Sequence, residues 1–74
     1  MDLAVAPAKL ALIVNGEPVE IAAANLAGVL TALGYADAVV ATALNGEFVP
    51  ARRREATPVE DGDRVEIVAP RQGG

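Results

Sequence analysis

The chain contains no cysteine and no histidine. Without cysteine it can hold no disulfide, no thiolate metal site and no iron–sulfur cluster. Without histidine it lacks the commonest general base and the commonest metal ligand. Positive charge is scarce: six Lys and Arg stand against ten Asp and Glu, a net charge of −4. That balance argues against nucleic acid, whose phosphates would be repelled, and favours a partner with a basic docking surface. No stretch approaches the roughly 20 apolar residues that span a membrane. Met1 to Lys9 does not read as a signal peptide, because Asp2 sits where a basic region belongs and the apolar run is short. A cytoplasmic protein with no membrane partner is expected.

What is present is 74 residues, enough for one small domain. A chain this short buries a low fraction of its surface, so its core is thin and leaves little room for an enclosed pocket. Activity is therefore expected on the surface or at an end. The last residues draw attention first. Asp61-Gly62 is a tight-turn pair. Val65, Ile67 and Ala69 alternate with Arg64, Glu66 and Val68, the period of a half-buried strand. Pro70 removes a backbone donor and stops pairing. Arg71, Gln72, Gly73 and Gly74 offer no apolar side chain for docking, so this tail is expected to project and move. Two terminal glycines can thread a narrow slot, since glycine has no Cβ and accepts any φ. Taken alone, the pair reads as a frayed end; its place directly after a strand raises the functional reading.

From the start, Leu10, Leu12 and Val14 alternate with Ala11 and Ile13 in a first strand. Asn15-Gly16 tolerates the left-handed conformations of a two-residue hairpin loop. Val19 and Ile21 then mark a second strand, whose Pro18 demands a strand start or an edge. Asn25 is a good N-cap. Leu26, Val29, Leu30 and Leu33 form one helical face, and Gly34 is a natural stop. For Gly28, inside this helix, the role to weigh is close approach of helix to sheet. Val39 to Leu44 is a β-rich run leading into Asn45-Gly46, then Phe48, Val49 and Pro50, a second hairpin. Parity is taken with Val40, Thr42 and Leu44 inward and Ala41 and Ala43 outward. Arg52-Arg53-Arg54 reads as a solvated loop; the alternative is an electrostatic contact with a partner, blunted by Glu55, Glu60 and Asp61. Thr57, Pro58 and Val59 lead into the last turn. The order β-β-α-β-β-β describes an α+β roll, a mixed sheet covered by one helix.

This order, with a diglycine after the last strand, resembles the ubiquitin-like β-grasp family, and within it the sulfur carrier proteins of thiamine biosynthesis. The likeness rests on Val14-Asn15-Gly16-Glu17, the helix from Leu26 to Leu33, and Ala43-Leu44-Asn45-Gly46-Glu47-Phe48-Val49-Pro50. Asp61-Gly62-Asp63-Arg64-Val65-Glu66-Ile67-Val68 and Gly73-Gly74 complete it. It departs in the extension before Leu10 and in having no aromatic between Arg52 and Val59, where relatives often carry one. The resemblance implies a division into an extension (1–9), a β-grasp domain (10–70) and a Gly-Gly tail (71–74). It implies that an E1-like adenylyltransferase uses ATP to activate the Gly74 carboxylate. A sulfur-donating persulfide protein would then leave a thiocarboxylate there, and a thiazole synthase would take the sulfur into the thiazole of thiamine. Arg71, Gln72 and Gly73 would thread the partners' active sites. The chain itself would bind no cofactor and catalyse nothing, acting as a co-substrate. The small subunit of molybdopterin synthase shares the fold and the tail chemistry and is the nearest alternative. A ubiquitin-like protein modifier and a non-catalytic β-grasp binding module stand behind it.

A short tail fixes where partners must dock. Their active sites lie within a few residues of the end of the last strand, so the docking surface should neighbour Val68 on the outward face, with Ala41, Ala43 and Phe48. The tail reading also predicts motion. NMR order parameters for Arg71 to Gly74 should fall below about 0.6, against about 0.85 for the strands, and values like those of the strands would contradict it.

Overall fold

The computed structural model describes residues 9–70. The proposed extension, but for Lys9, and the tail Arg71 to Gly74 lie outside that range. Five strands form one mixed sheet in the order β2-β1-β5-β3-β4. In chain order these are β1 (Leu10–Val14), β2 (Glu17–Ile21), β3 (Ala41–Leu44), β4 (Glu47–Val49) and β5 (Arg64–Val68). The helix α1 (Leu26–Ala32) and a short 3-10 helix (Ala51–Ala56) complete the set. This is the α+β roll expected from the alternation pattern, with β5, last in the chain, at the centre of the sheet.

Both hairpins turn as their sequences require. Asn15 and Gly16 have φ of 51° and 84°, and Asn45 carries the same 51° before Gly46 at 88°, the positive pairs of a type I′ turn. Pro18 falls in β2, an edge strand, where a missing donor costs the sheet nothing. Asn25 caps α1, its side-chain oxygen accepting from the Gly28 N–H at 2.8 Å. At the other end Gly34 N–H donates to Thr31 O and Tyr35 N–H to Leu30 O. That pair of bonds is a Schellman stop with glycine in the left-handed position. Gly28 does not serve close approach to the sheet. A Cβ there would meet Ala23 Cβ at 3.3 Å and the Asn25 cap oxygen at 3.5 Å, so the glycine leaves room for the chain's entry into the helix.

The core joins α1 to the inward side chains of the sheet. Leu12, Ile21, Leu26, Val29, Leu30, Val49, Val59, Val65 and Ile67 are buried. Three expectations need correction. β5 ends at Val68, and Ala69 is exposed rather than a strand residue, because the last partner that β3 offers is Ala41. β3 begins at Ala41, so Val39 and Val40 precede the ladder. The arginine run is not a loose loop. It forms the middle of the 3-10 helix, and Arg54 turns inward to donate from Nε to Thr42 Oγ1 (3.0 Å) and from Nη2 to Val40 O (2.7 Å). Thr42 is buried and donates its own hydroxyl to Val49 O at 2.8 Å. Its oxygen is thereby used as donor and acceptor together, as a buried hydroxyl should be.

β1 and β5 pair in parallel only at Ile13↔Arg64 and Val14↔Val65. Beyond that the chain turns away, and Asn15 substitutes for the missing strand. Its backbone N–H donates to Val65 O, its side-chain oxygen accepts from Ile67 N–H (2.8 Å), and its side-chain nitrogen donates to Ile67 O (3.1 Å). Asn45 makes similar but more exposed bonds, to Arg64 N–H and to the Asp63 carboxylate. Asn15→Ala should therefore cost about 2–3 kcal/mol, leaving two part-buried backbone groups of Ile67 unpaired. Asn45→Ala, with the same loss of left-handed preference but more exposed bonds, should cost clearly less. Urea unfolding of the two variants makes the comparison, and equal losses would refute the account.

Candidate functional site

The end of β5 and the outer face beside it are where the sequence leads one to expect the working parts. In β5, Val65 and Ile67 are buried while Arg64, Glu66 and Val68 face outward. β3 follows the same parity, with Thr42 inward and Ala41 on the outside. Register then fixes the neighbours. Ala41 lies opposite Val68, and Ala43 lies between Glu66 on β5 and Phe48 on β4. Val68 and Phe48 are 62% and 69% exposed, large apolar side chains open to water. Between them the two alanines of β3 form a low floor.

The expected residues thus share one face, though not as a single cluster. Ala41 pairs with Val68 at the end of β5. Ala43 and Phe48 sit one row back, and Glu66 shares that row. The sequence argument passed over Glu66, which interrupts the apolar surface with a charge. It also missed the residues that complete the surface at the exit. Val39, Val40, Ala41, Val68 and Pro70 line a shallow groove that is almost wholly apolar. Val39 is 80% exposed, the most exposed of the large apolar side chains described. The β-rich run from Val39 to Leu44 predicts a strand position for it, where inward or outward would follow from parity. In the folded chain it stands before the strand, and parity does not apply to it.

The position of this groove follows from the clamp on β5. Ile67 is held on one side by Asn15, and the last ladder pair, Ala41↔Val68, holds the other. The chain therefore leaves the sheet at one fixed point, and Pro70 forms a wall of the groove. The proposed modified residue Gly74 and the threading residues Arg71, Gln72 and Gly73 continue from there, outside the described residues. Among the described residues no group of three or more carboxylates is placed to hold a metal ion, and no helix is long and apolar enough to cross a membrane.

Comparison with known proteins agrees with this architecture. The model of the ThiS family matches residues 12–74. The crystal structure of the thiamine biosynthesis protein ThiS from Geobacter metallireducens is 39% identical to this chain. The match covers 88% of this chain and 100% of that one, with a TM-score of 0.74. No curated protein matches at a significant level. With the family match running across most of its length and a solved neighbour of the same fold at that identity, this chain belongs to the ThiS family, on a ubiquitin-like β-grasp fold.

Proposed function

We propose that the chain is a protein sulfur carrier whose C-terminal Gly74 is the reacting residue. The observation that supports this most directly is the family match, which runs through Gly73 and Gly74. The chemistry has a clear physical logic. A carboxylate is a poor electrophile and needs a leaving group before a sulfur nucleophile can attack it. A partner adenylyltransferase supplies one: a Gly74 carboxylate oxygen attacks the α-phosphorus of ATP, and pyrophosphate leaves. The terminal sulfur of a persulfide then attacks the acyl carbon and AMP departs, giving an acyl disulfide. A thiol cleaves that disulfide, becoming oxidised itself, and leaves the thiocarboxylate.

The carrier's own residues supply none of these catalytic steps. With neither cysteine nor histidine, the chain has no thiolate to form a persulfide and no imidazole to move protons. Its part is to present one carboxylate a few residues away from a docking face and then to leave. A surface of small side chains flanked by Val68 and Phe48 suits that, since transient contacts bury little area. The negative net charge would mainly speed encounter with a basic partner surface. The thiamine biosynthesis neighbour supports a thiazole synthase, rather than a molybdopterin synthase, as the enzyme that takes the sulfur.

Deleting Gly74, adding one residue after it, or making Gly73→Val should each abolish sulfur transfer without unfolding the domain. The check is thiazole formation in a reconstituted assay alongside circular dichroism. Thiazole formed from the Gly74 deletion at the wild-type rate would end the carrier reading. Docking is tested separately. Val68→Asp and Ala43→Asp, both on the outer face, should fold normally and lower the kcat/KM of adenylation by about tenfold. If both fold and both are adenylated as well as the wild type, partners dock elsewhere.

A further inference from the structure

Arg54 is charged and half-buried, and both of its side-chain hydrogen bonds go to β3 or to the residue just before it. The guanidinium holds two acceptors at once, Thr42 Oγ1 at 3.0 Å and Val40 O at 2.7 Å. The first bond ties the 3-10 helix to the buried centre of β3, where Thr42 in turn donates to Val49 O on β4. The second reaches a residue outside the sheet. Val40 precedes the first ladder pair, Ala41↔Val68, so its carbonyl is held by Arg54 where strand pairing has not yet begun. On either side of that carbonyl lie the residues of the apolar groove at the exit of β5, namely Val39, Val40 and Ala41.

Holding Val39 outward works against its chemistry. A large aliphatic side chain that is 80% exposed gains by folding back onto apolar surface, and the groove beside it offers some. A backbone path fixed at Val40 would prevent this, and the Arg54 bond to the Val40 carbonyl is placed to fix it. A guanidinium suits the task. It is planar and always charged, and its donors form a rigid fork, so two acceptors lock its orientation and hence the distance between them. A lysine at the same place would offer one point charge on a flexible stem.

We propose that Arg54 is a positioning residue for partner docking: by holding the carbonyl of the half-buried Val40 it keeps Val39 raised as the outer lip of the groove beside the exit of β5. The partner that fits this groove is the protein that adenylates the C-terminal carboxylate, contributing an apolar side chain between Val39 and Val68. This rests on the carrier reading given above. Arg54 touches no reacting atom; its bond to Thr42 serves the fold, and its bond to Val40 serves docking. Its loss should weaken encounter with the partner while leaving the bound carrier as reactive as before.

The experiment is steady-state ATP–pyrophosphate exchange by the cognate adenylyltransferase, with the full chain as the varied substrate. The variants are Arg54→Met, Arg54→Lys, Val39→Ala and the double variant Val39→Ala with Arg54→Met, each checked for fold by circular dichroism. Arg54→Met should raise KM about tenfold with kcat within about twofold, the signature of lost binding rather than lost reactivity. Arg54→Lys should fall between it and the wild type. If Arg54 acts through the lip, Val39→Ala should raise KM in the wild type and change it little in the Arg54→Met background, since the two share one path. A folded Arg54→Met with unchanged KM overturns the proposal, as does a fall in kcat alone or full additivity with Val39→Ala. Should Arg54→Met fail to fold, Arg54→Lys decides by the same criteria. A wild-type chain that supports no exchange at all sinks the carrier reading instead. Arg54 is then judged by the amide chemical shifts of Val39 to Ala41, which must move in Arg54→Lys if the guanidinium holds that segment.

Discussion

The structure depends on how one strand is held where its neighbours run out. β5 is last in the sequence and central in the sheet, so its backbone needs partners on both sides. β3 provides one side along four residue pairs. β1 provides the other for only two before it turns away. The Asn15 side chain then supplies one donor and one acceptor to Ile67, as a further strand residue would have done. An amide is the side-chain group that can do this, because it presents the same pair of polar atoms as a peptide unit. The left-handed backbone of the hairpin turn aims that amide back across the sheet. One residue therefore makes the turn, closes the ladder and determines where the chain leaves the fold.

A second polar arrangement sits inside the roll and obeys the same rule. Thr42 is the one buried polar residue described, and an unpaired hydroxyl at that depth would cost about 1–3 kcal/mol. It is paired twice, with Val49 O and with Arg54 Nε. The second partner brings a charge toward the core, which is tolerable because the guanidinium lies at the margin and uses two acceptors. Val59 anchors the far end of the same segment. It is buried, its N–H donates to Ala24 O, and Thr57 O accepts from Leu26 N–H. The stretch between β4 and β5 is thus a structural element in its own right, closing the roll over the N-terminus of α1.

The parts that were legible in sequence are those where local pattern and tertiary environment agree. Leu10, Leu12 and Val14, and Val65 with Ile67, alternate cleanly and face the core. Asn25 and Gly34 bracket the helix as their chemistry requires. The outer position of Val68 followed from the alternation of β5; those of Ala41 and Ala43 followed from the parity chosen for a run without clean alternation, and Phe48 was placed only at the margin of that face. What was not legible depended on residues far apart in the chain. The bonds from Asn15 to Ile67 join positions 52 apart, and nothing local separates an asparagine that clamps from one that only turns. Arg54 is the third of three arginines and has no pattern of its own. Its signal lay on the opposite side of the core: parity put Thr42 inward, and an inward hydroxyl requires a partner. The 3-10 helix carries no apolar face to betray it. Ala69 was misassigned because alternation continues past the point where pairing ends.

These features explain why a domain this thin can separate its stability from its chemistry. Core and clamps act on residues up to Val68, while the reactive end proposed for the chain begins after Pro70. Substitutions in the tail should then leave folding intact, and substitutions in the core should act on the tail only through the point of exit. The proposed docking face sits between the two regimes. It is built from the outward side chains of strands whose inward side chains form the core, so one residue step along β5 passes from Ile67, which stabilises the fold, to Val68, which is free to meet a partner. A sheet has this property and a helix bundle does not to the same degree. Its period of two lets adjacent positions answer to opposite demands, and here those demands are to hold a small roll together and to keep its outer face available.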